Sequence, residues 1–273
     1  MPSSLLSVAT WNINSVRMRR GIVEQLIDHH APDVICLQET KCADAQFPEA
    51  DFRKLGYGHV ALNGGRGGYH GVAILSRFPL LDVEAHDFCG KGDPRHVAAS
   101  VERGGRTVRI HNFYVPAGGD EPDPEINPKF AHKLAFLDEM KAWLPTASLG
   151  RLDIVVGDLN VAPYESDVWS HKALLKIVSH TPVECEGLEA VRRAGGWTDL
   201  MRHFTPEPAP VFTWWSYRAK DWRAADKGRR LDHVWTHPDL VPMARSLQVL
   251  KDARDWSRPS DHVPVIAHFD LAR

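Results

Sequence analysis

Apolar runs too short to make stable helices recur along this chain, and several of them stop on a polar cluster. Residues 5–11 run into Asn12, residues 34–37 into Gln38 and Glu39, residues 108–113 into Tyr114, and residues 154–156 into Gly157-Asp158-Leu159-Asn160. Runs of this length suit strands better than helices. Apolar residues also alternate on both sides of Gly104-Gly105, as Val97, Ala99, Val101 and then Val108, Ile110. Paired glycines supply the positive φ of a tight turn, so this spacing predicts a β-hairpin and a sheet that is at least partly antiparallel. Two helical stripes interrupt the strands: Ile22, Val23, Leu26 and Ile27 form one, and Phe130, Leu134 and Leu137 form the other at i, i+4, i+7. A mixed α/β chain is expected.

Composition removes several classes. The chain of 273 residues is long enough to bury a sizeable core. At 43% hydrophobic and 25% charged, it is neither disordered nor fibrous. No apolar run approaches the roughly 20 residues of a membrane helix. Residues 1–10 lack a basic region followed by a long apolar one, so neither a signal nor a transit peptide is expected, and the expected location is intracellular, in the cytoplasm. Cys36, Cys42, Cys89 and Cys185 are irregularly spaced. Cys36 sits in an apolar run where a buried reduced thiol is expected, and neither a disulfide framework nor a zinc knuckle is implied. Two Pro-rich stretches, 116–128 and 206–210, are short and mark no change of composition, so one domain over residues 1–273 is expected. The first of them is a long loop directly after a strand, a common place for function.

Common catalytic solutions are absent: there is no G-x-S-x-G elbow, no H-E-x-x-H and no phosphate-binding G-x-x-x-x-G-K-[ST]. Gly65-Arg66-Gly67-Gly68-Tyr69-His70 misses a dinucleotide fingerprint, because His70 replaces the third Gly and a strand-like run follows, so it reads as a surface turn. What remains is a set of carboxylates and amides at strand ends: Asn12, Asn14, Glu39, Tyr114, Asp158, Asn160 and Asp232, then Asp261 and His262. An Asp or Asn after a strand is most often a turn or cap residue, so no one of them carries a reading alone. As a set without a cysteine or histidine cluster, they are the donors of a hard cation, Mg²⁺ or Mn²⁺ rather than Zn²⁺. Asp261-His262 precedes another strand-like run, where a carboxylate beside an imidazole can position a proton donor.

In order along the chain, Thr10-Trp11-Asn12-Ile13-Asn14, Leu37-Gln38-Glu39-Thr40-Lys41, Asn112-Phe113-Tyr114-Val115-Pro116, Gly157-Asp158-Leu159-Asn160, Arg230-Leu231-Asp232 and Ser260-Asp261-His262 resemble the exonuclease III family of AP endonucleases, within the endonuclease/exonuclease/phosphatase superfamily. The resemblance spans nearly the whole chain. It implies a four-layer αββα sandwich, with two mixed sheets face to face, helices outside and the site at one edge. It implies Glu39 as the principal Mg²⁺ ligand, with Mn²⁺ as a substitute, and Asn12, Asn14 and Asp261 around the metal directly or through water. Asp158 would activate or orient the attacking water, and Asn160 would help hold that water and the phosphate. His262, oriented by Asp232, would contact the scissile phosphate, and Tyr114 would touch the phosphate or leaving group. The implied substrate is duplex DNA with abasic sites or 3′ ends, cut by a monomer with no covalent intermediate.

The near-zero formal net charge of −2 averages over unlike parts. Residues 218–230 carry six basic residues against two acidic ones, interleaved with Trp222 and preceded by Trp214, Trp215 and Tyr217. Such a segment suits phosphate contacts with stacking against a distorted duplex, which makes Trp214, Tyr217, Arg218 and Arg229 candidate DNA contacts. Arg17, Lys41, Arg66 and Tyr69 join them on loops that the family places near the strand. Two residues depart from the family pattern: Ala117, where an amide is common, and Arg229, where an apolar or aromatic side chain lines the abasic pocket. The rival readings are a phosphoinositide or sphingolipid phosphoesterase of the same superfamily, and a DNA-binding module that has lost catalysis, although no site residue is lost.

Overall fold

The computed structural model describes residues 4–65 and 67–272. Its strands, in chain order, are β1 (Leu5–Asn12), β2 (Val34–Gln38), β3 (His59–Asn63), β4 (Val72–Ser76), β5 (Leu81–Glu84), β6 (His96–Arg103), β7 (Arg106–Tyr114), β8 (Leu152–Asp158), β9 (Thr198–Asp199), β10 (Trp214–Trp215), β11 (Gly228–Arg229), β12 (Asp232–Thr236), β13 (Ala244–Val249) and β14 (Val265–Asp270). Two six-stranded sheets form, in the orders β13-β14-β1-β2-β4-β3 and β5-β6-β7-β8-β12-β9, and β10 pairs with β11 in a small ribbon. Each large sheet has one parallel pair near its centre, β1 with β2 and β7 with β8, flanked by antiparallel neighbours.

A parallel pair needs a crossover, and helices supply it. α1 (Val16–His30) joins β1 to β2. After α2 (Glu49–Lys54), the long helix α3 (Pro128–Ala147) joins β7 to β8. α3 starts where the sequence provides a stop and a start: the Asn127 side chain accepts from the Lys129 amide and Pro128 takes the first helical position. α4 (His171–Leu174) and α5 (Pro182–Ala194) follow, α5 opening on a capping box of Thr181 and Glu184.

Alternate residues of each central strand face opposite layers. Leu6, Val8, Val34, Cys36, Val97, Ala99, Val101, Val108, Ile110, Ile154, Val156 and Val234 meet in the core between the sheets. Ala9, Trp11, Ile35 and Leu37 pack outward under α1, with Ile22, Val23, Leu26 and Ile27. Phe113 and Val155 pack outward under α3 and α5, with Phe136, Leu137, Met140 and Leu188. The architecture is the four-layer αββα sandwich, and a strand buried on both faces explains why the apolar runs are continuous. The hairpin predicted at Gly104-Gly105 is β6–β7, with Val101 opposite Val108 and both glycines at positive φ. Cys36 is buried, and all four cysteines are free thiols. Among the described residues, no helix is long and apolar enough to cross a membrane.

One stripe differs from its expected form. On α3, Phe130 and Leu137 are buried but Leu134 is only partly so, and the inward face is completed by Lys133, Phe136, Met140 and Leu144. A lysine at an inward position reads as polar surface, which shifts the apparent stripe.

Candidate active site

Strand polarity gathers the chemistry at one edge. Asn12 is opposite Gln38 at the carboxyl ends of β1 and β2, and Tyr114 is opposite Asp158 at the carboxyl ends of β7 and β8. Antiparallel β12 starts at that same edge, with Asp232 opposite Asp158. Ligand sites at the carboxyl ends of parallel strands follow from this geometry. The two sheets are pinned together just below the edge: the Gln38 amide donates to Asn112 Oδ1 at 2.7 Å, and Asn112 Nδ2 donates to the Leu37 and Ala73 carbonyls at 3.0 and 2.9 Å.

The chain turns sharply as it leaves the strands. Asn14, Glu39, Lys41 and Asn160 all have φ between 47 and 54°, in the left-handed region that costs a non-glycine residue energy. Gly157 precedes Asp158 because nothing larger fits: a Cβ there would lie 2.0 Å from the Phe113 carbonyl oxygen.

Four carboxylates, one imidazole and three amides interlock. Asn12 Nδ2 donates to Glu39 Oε1 and to Asp158 Oδ2, each at 2.8 Å, so one amide sets two carboxylates. Its own oxygen accepts from the Asn14 amide at 3.1 Å, which makes Asn12 an orienting residue. Asn160 donates from its backbone to Asp158 Oδ1 at 3.0 Å and from Nδ2 to Asp158 Oδ2 at 3.1 Å and the Val115 carbonyl at 2.9 Å. His262 lies between two carboxylates, with Nδ1 at 2.8 Å from Asp232 Oδ2 and Nε2 at 3.6 Å from Asp158 Oδ2. Asp261 accepts from Asn14 Nδ2 at 3.3 Å and from the Trp214 indole at 3.0 Å.

Burial and charge set the proton affinities. Burial disfavours the His262 imidazolium, but Asp232 and Asp158 outweigh it and raise the group to about 10. Burial raises Asp158 to about 7; His262 opposes that rise and Asp232 adds to it. Burial also works to raise Glu39, yet the Lys41 ammonium at 2.7 Å and the Asn12 hydrogen bond hold it below the usual carboxylate range. Burial, with Glu39 and Asp158 nearby, pushes the Tyr114 phenol well up, so it stays protonated. The site therefore pairs an imidazole whose cationic form its carboxylate neighbours favour with a carboxylate that burial makes more basic, a pairing suited to moving a proton.

The donor set fits a hard cation. Glu39, Asp261 and Asn14 offer only oxygens at the edge of the cleft, and the Lys41 ammonium already lies 2.7 Å from Glu39 Oε2 and 2.7 Å from Asn14 Oδ1, so that pair presents itself to positive charge. A second donor group, Asp158, Asp232 and His262, has ligand atoms within 4.8 Å of one another, but there the imidazole already bridges the carboxylates.

Glu39, Tyr114, Asp158, Asn160, Asp261 and His262 line a cavity of about 580 Å³. Glu39, Asp158 and Asp261 form an acidic side, while Arg218, Lys227 and Arg229 bring basic charge and Trp169 and Trp214 bring aromatic surface. The basic segment is smaller than its sequence suggests. Arg230 is fully buried, bidentate on Asp167 and bonded to Asp199 at 2.7 Å, and Arg223 is paired with Asp252 and Asp255. Trp215 is buried and the Trp222 indole donates to Asp255, so both are packing groups. Arg218 and Tyr217 are exposed, Tyr217 donating to the Pro259 carbonyl at 2.8 Å. Arg229 is half-buried, with its guanidinium 5.2 Å from the Trp214 ring centre and Nη1 on the Val178 carbonyl and Ser179 Oγ. Arg17 is exposed in the first turn of α1 and Tyr69 is exposed beside the Gly67-Gly68 turn; Arg66 lies outside the described residues.

Several residues escaped sequence reasoning. Arg19 joins the Asn14 carbonyl, the Arg258 and Pro259 carbonyls and the Tyr217 hydroxyl. Arg95 lies over the Tyr114 ring at 4.8 Å and donates to its carbonyl. Ser260 Oγ donates to the Asn12 carbonyl at 2.7 Å. For Ser260 alone a signal existed, its place beside Asp261-His262.

The chain matches the endonuclease/exonuclease/phosphatase family over residues 9–262. It is similar to exodeoxyribonuclease III of Haemophilus influenzae, 28% identical over 95% of this chain and 98% of that protein. It is 31% identical to recombination repair protein 1 of Drosophila melanogaster over 97% of this chain, which spans 37% of that relative's length. Among solved structures, an AP endonuclease from Archaeoglobus fulgidus superposes with a TM-score of 0.88 at 31% identity, over 97% of this chain and 99% of that one. A 3′ phosphatase from Neisseria bound to a product DNA hairpin superposes with a TM-score of 0.88 at 29% identity, over 97% and 99%.

Proposed function

This chain belongs to the endonuclease/exonuclease/phosphatase family, and we propose that within it the protein is a Mg²⁺-dependent DNA-repair phosphodiesterase. It cuts duplex DNA 5′ to abasic sites and clears or trims 3′ ends, as a one-domain monomer acting in the cytoplasm where the DNA is. The observation that carries this reading is the Asp232–His262–Asp158 row joined through Asn12 to Glu39, at the mouth of a cavity with one acidic and one basic side. The relatives support the substrate: one is named exodeoxyribonuclease III, one structure an AP endonuclease, and another contains product DNA.

Glu39, Asp261 and Asn14, with Asn12 beside them directly or through water, would hold Mg²⁺, with Mn²⁺ able to substitute. When bound, the cation neutralises charge that builds on the phosphate oxygens. Asp158, fixed by Asn12 and Asn160, accepts the proton of the attacking water, while Asn160 helps hold the water and phosphate. His262, kept charged by Asp232, donates a hydrogen bond to the scissile phosphate as its charge grows. Tyr114, protonated and held under Arg95, contacts the phosphate or leaving group. Attack is in line, without a covalent enzyme intermediate. Arg17, Lys41 and Tyr69, together with Trp214, Tyr217, Arg218 and Arg229, contact the DNA, and Arg66, outside the described residues, is a further candidate contact.

The test is to incubate the purified protein with duplex DNA bearing an abasic analogue, with Mg²⁺ or with chelator, in parallel with a phosphoinositide. Incision of the DNA only with Mg²⁺ is expected. Phosphate release from the lipid with intact DNA would sink the reading.

A further inference from the structure

Behind the cavity, an ion pair that the proposed chemistry does not use ties its walls together. Lys133 on α3 and Glu184 on α5 are both fully buried, and the ammonium contacts the carboxylate directly. The ammonium also donates to the Asn160 carbonyl at 2.7 Å and the Ala117 carbonyl at 3.3 Å, which uses all three of its protons. Glu184 in turn accepts from the Ser179 amide at 2.9 Å, from the Thr181 amide at 3.2 Å and from Thr181 Oγ1 at 2.6 Å. Ser179 is gripped from its other side: its carbonyl accepts from the Ala162 amide at 2.7 Å, and its hydroxyl from Arg229 at 2.8 Å. Ala117, Asn160 and Ser179, which come from three separate connections, all line the cavity and all meet on these two side chains.

Stability is a weak reason for such a pair. Desolvating two charges costs several kcal/mol, and well-packed apolar residues of similar volume often do as well or better. What an apolar pair cannot supply is direction: bonds to two carbonyls and two amides that fix loop backbones at set distances. We propose that Lys133 and Glu184 are positioning residues of the hydrolytic site. They hold the Asn160 backbone, and through it both oxygens of Asp158, in register with the Ser179–Arg229 wall, so that the proton acceptor and the wall that receives the substrate keep one spacing.

The activity half of the test rests on the hydrolase reading, so it is joined to a measurement that does not. Lys133→Met with Glu184→Leu removes both charges while roughly keeping volume; the loop carbonyls and amides it leaves unpaired cost stability, so it is assayed well below its own unfolding midpoint. In that variant, kcat on abasic duplex is expected to fall by about tenfold or more at a temperature where it is fully folded. Amide hydrogen exchange at Ser179 and Thr181 is expected to quicken by about tenfold, while the β6–β7 hairpin keeps its protection. Should the double variant not fold, Glu184→Gln is read in the same two assays, with the same signs expected. A folded variant with wild-type kcat, or with wild-type exchange at Ser179 and Thr181, overturns the proposal. A wild-type protein that leaves DNA uncut sinks the hydrolase reading, and the exchange result still decides whether the pair holds the wall.

Discussion

His262 Nδ1 donates to Asp232 Oδ2 across 2.8 Å, with Asp232 fully buried and His262 open only toward the cavity. The other oxygen of Asp232 is buried with no partner among the described residues, so the carboxylate's one side-chain bond is to the imidazole. Asp232→Asn keeps the shape and removes the negative charge, so the imidazole loses its main reason to stay protonated. Turnover is expected to fall by about 10² to 10⁴ with KM little changed, by analogy with other orienting carboxylates. Steady-state kinetics on abasic duplex check this, and a kcat within a few-fold of wild type would remove Asp232 from the mechanism.

Glu39→Gln and Asp158→Asn each delete one charge from the two carboxylates that Asn12 bridges. Each is expected to lower turnover by orders of magnitude while DNA binding stays largely in place, because the phosphate contacts come from other residues. Single-turnover rates beside equilibrium binding separate the two effects. Near wild-type cutting by either variant would refute the role given to that residue.

The central layer of the fold was legible because its strands are buried on both faces and therefore read as apolar runs, and because Gly104-Gly105 marks a hairpin in its own right. The site residues were legible one by one at strand ends. Their convergence was not, since Asn12 and Asp158 are 146 positions apart and meet only through sheet topology. The basic segment misled in part because charge in a sequence does not say which way a side chain points: Arg230 and Arg223 satisfy Asp167, Asp199, Asp252 and Asp255. Lys133 misled for the same reason, since its carboxylate partner lies 51 residues away.

Arg230 and Arg218 should therefore behave oppositely. Arg230→Leu takes the bidentate partner from buried Asp167 and the charged partner from Asp199, leaving Asp167 with Arg202 and the Tyr164 amide and Asp199 with the Met201 and Arg202 amides, and a loss of about 3 kcal/mol in unfolding free energy is expected. Arg218→Ala, at an exposed position, should leave stability unchanged, weaken DNA binding and lower the salt slope by about 1. Denaturant melts and salt-dependent binding test the pair, and a stable Arg230→Leu protein with weakened DNA affinity would reverse the assignment.

Acid sensitivity should come partly from His233. Burial, reinforced by Arg230, lowers this histidine from its ordinary 6.5 to about 4. The unfolded chain then binds a proton that the folded one refuses, so the contribution is unchanged above about pH 6.5 and stability is lost as pH falls from there toward 4. Asp153, raised to about 6 by burial, acts in the opposite direction over part of that window, so a difference isolates the histidine. His233→Gln keeps a donor for the Val161 carbonyl, which His233 Nε2 meets at 2.8 Å. The stability gap between wild type and this variant is expected to narrow between pH 7 and 4.5, and a constant gap would mean that His233 does not titrate on unfolding.

Arg229 is expected to set the balance between substrates. Its guanidinium sits 5.2 Å from the Trp214 ring centre and is tied at its tip to the Val178 carbonyl and Ser179 Oγ, and its buried Nε has no hydrogen-bond partner among the described residues. A rigid cation in the cavity wall favours a substrate that brings negative charge to that wall, such as a blocked 3′ end, and takes up space that an unpaired sugar would need. Arg229→Leu removes the charge and much of the reach while leaving Asp158 and His262 in place. The ratio of abasic-site incision to removal of a 3′-phosphate should rise by about fivefold or more, the scale on which one wall contact discriminates substrates. Initial rates on two duplexes that differ only in the lesion measure that ratio, and an unchanged value would show that Arg229 does not decide preference.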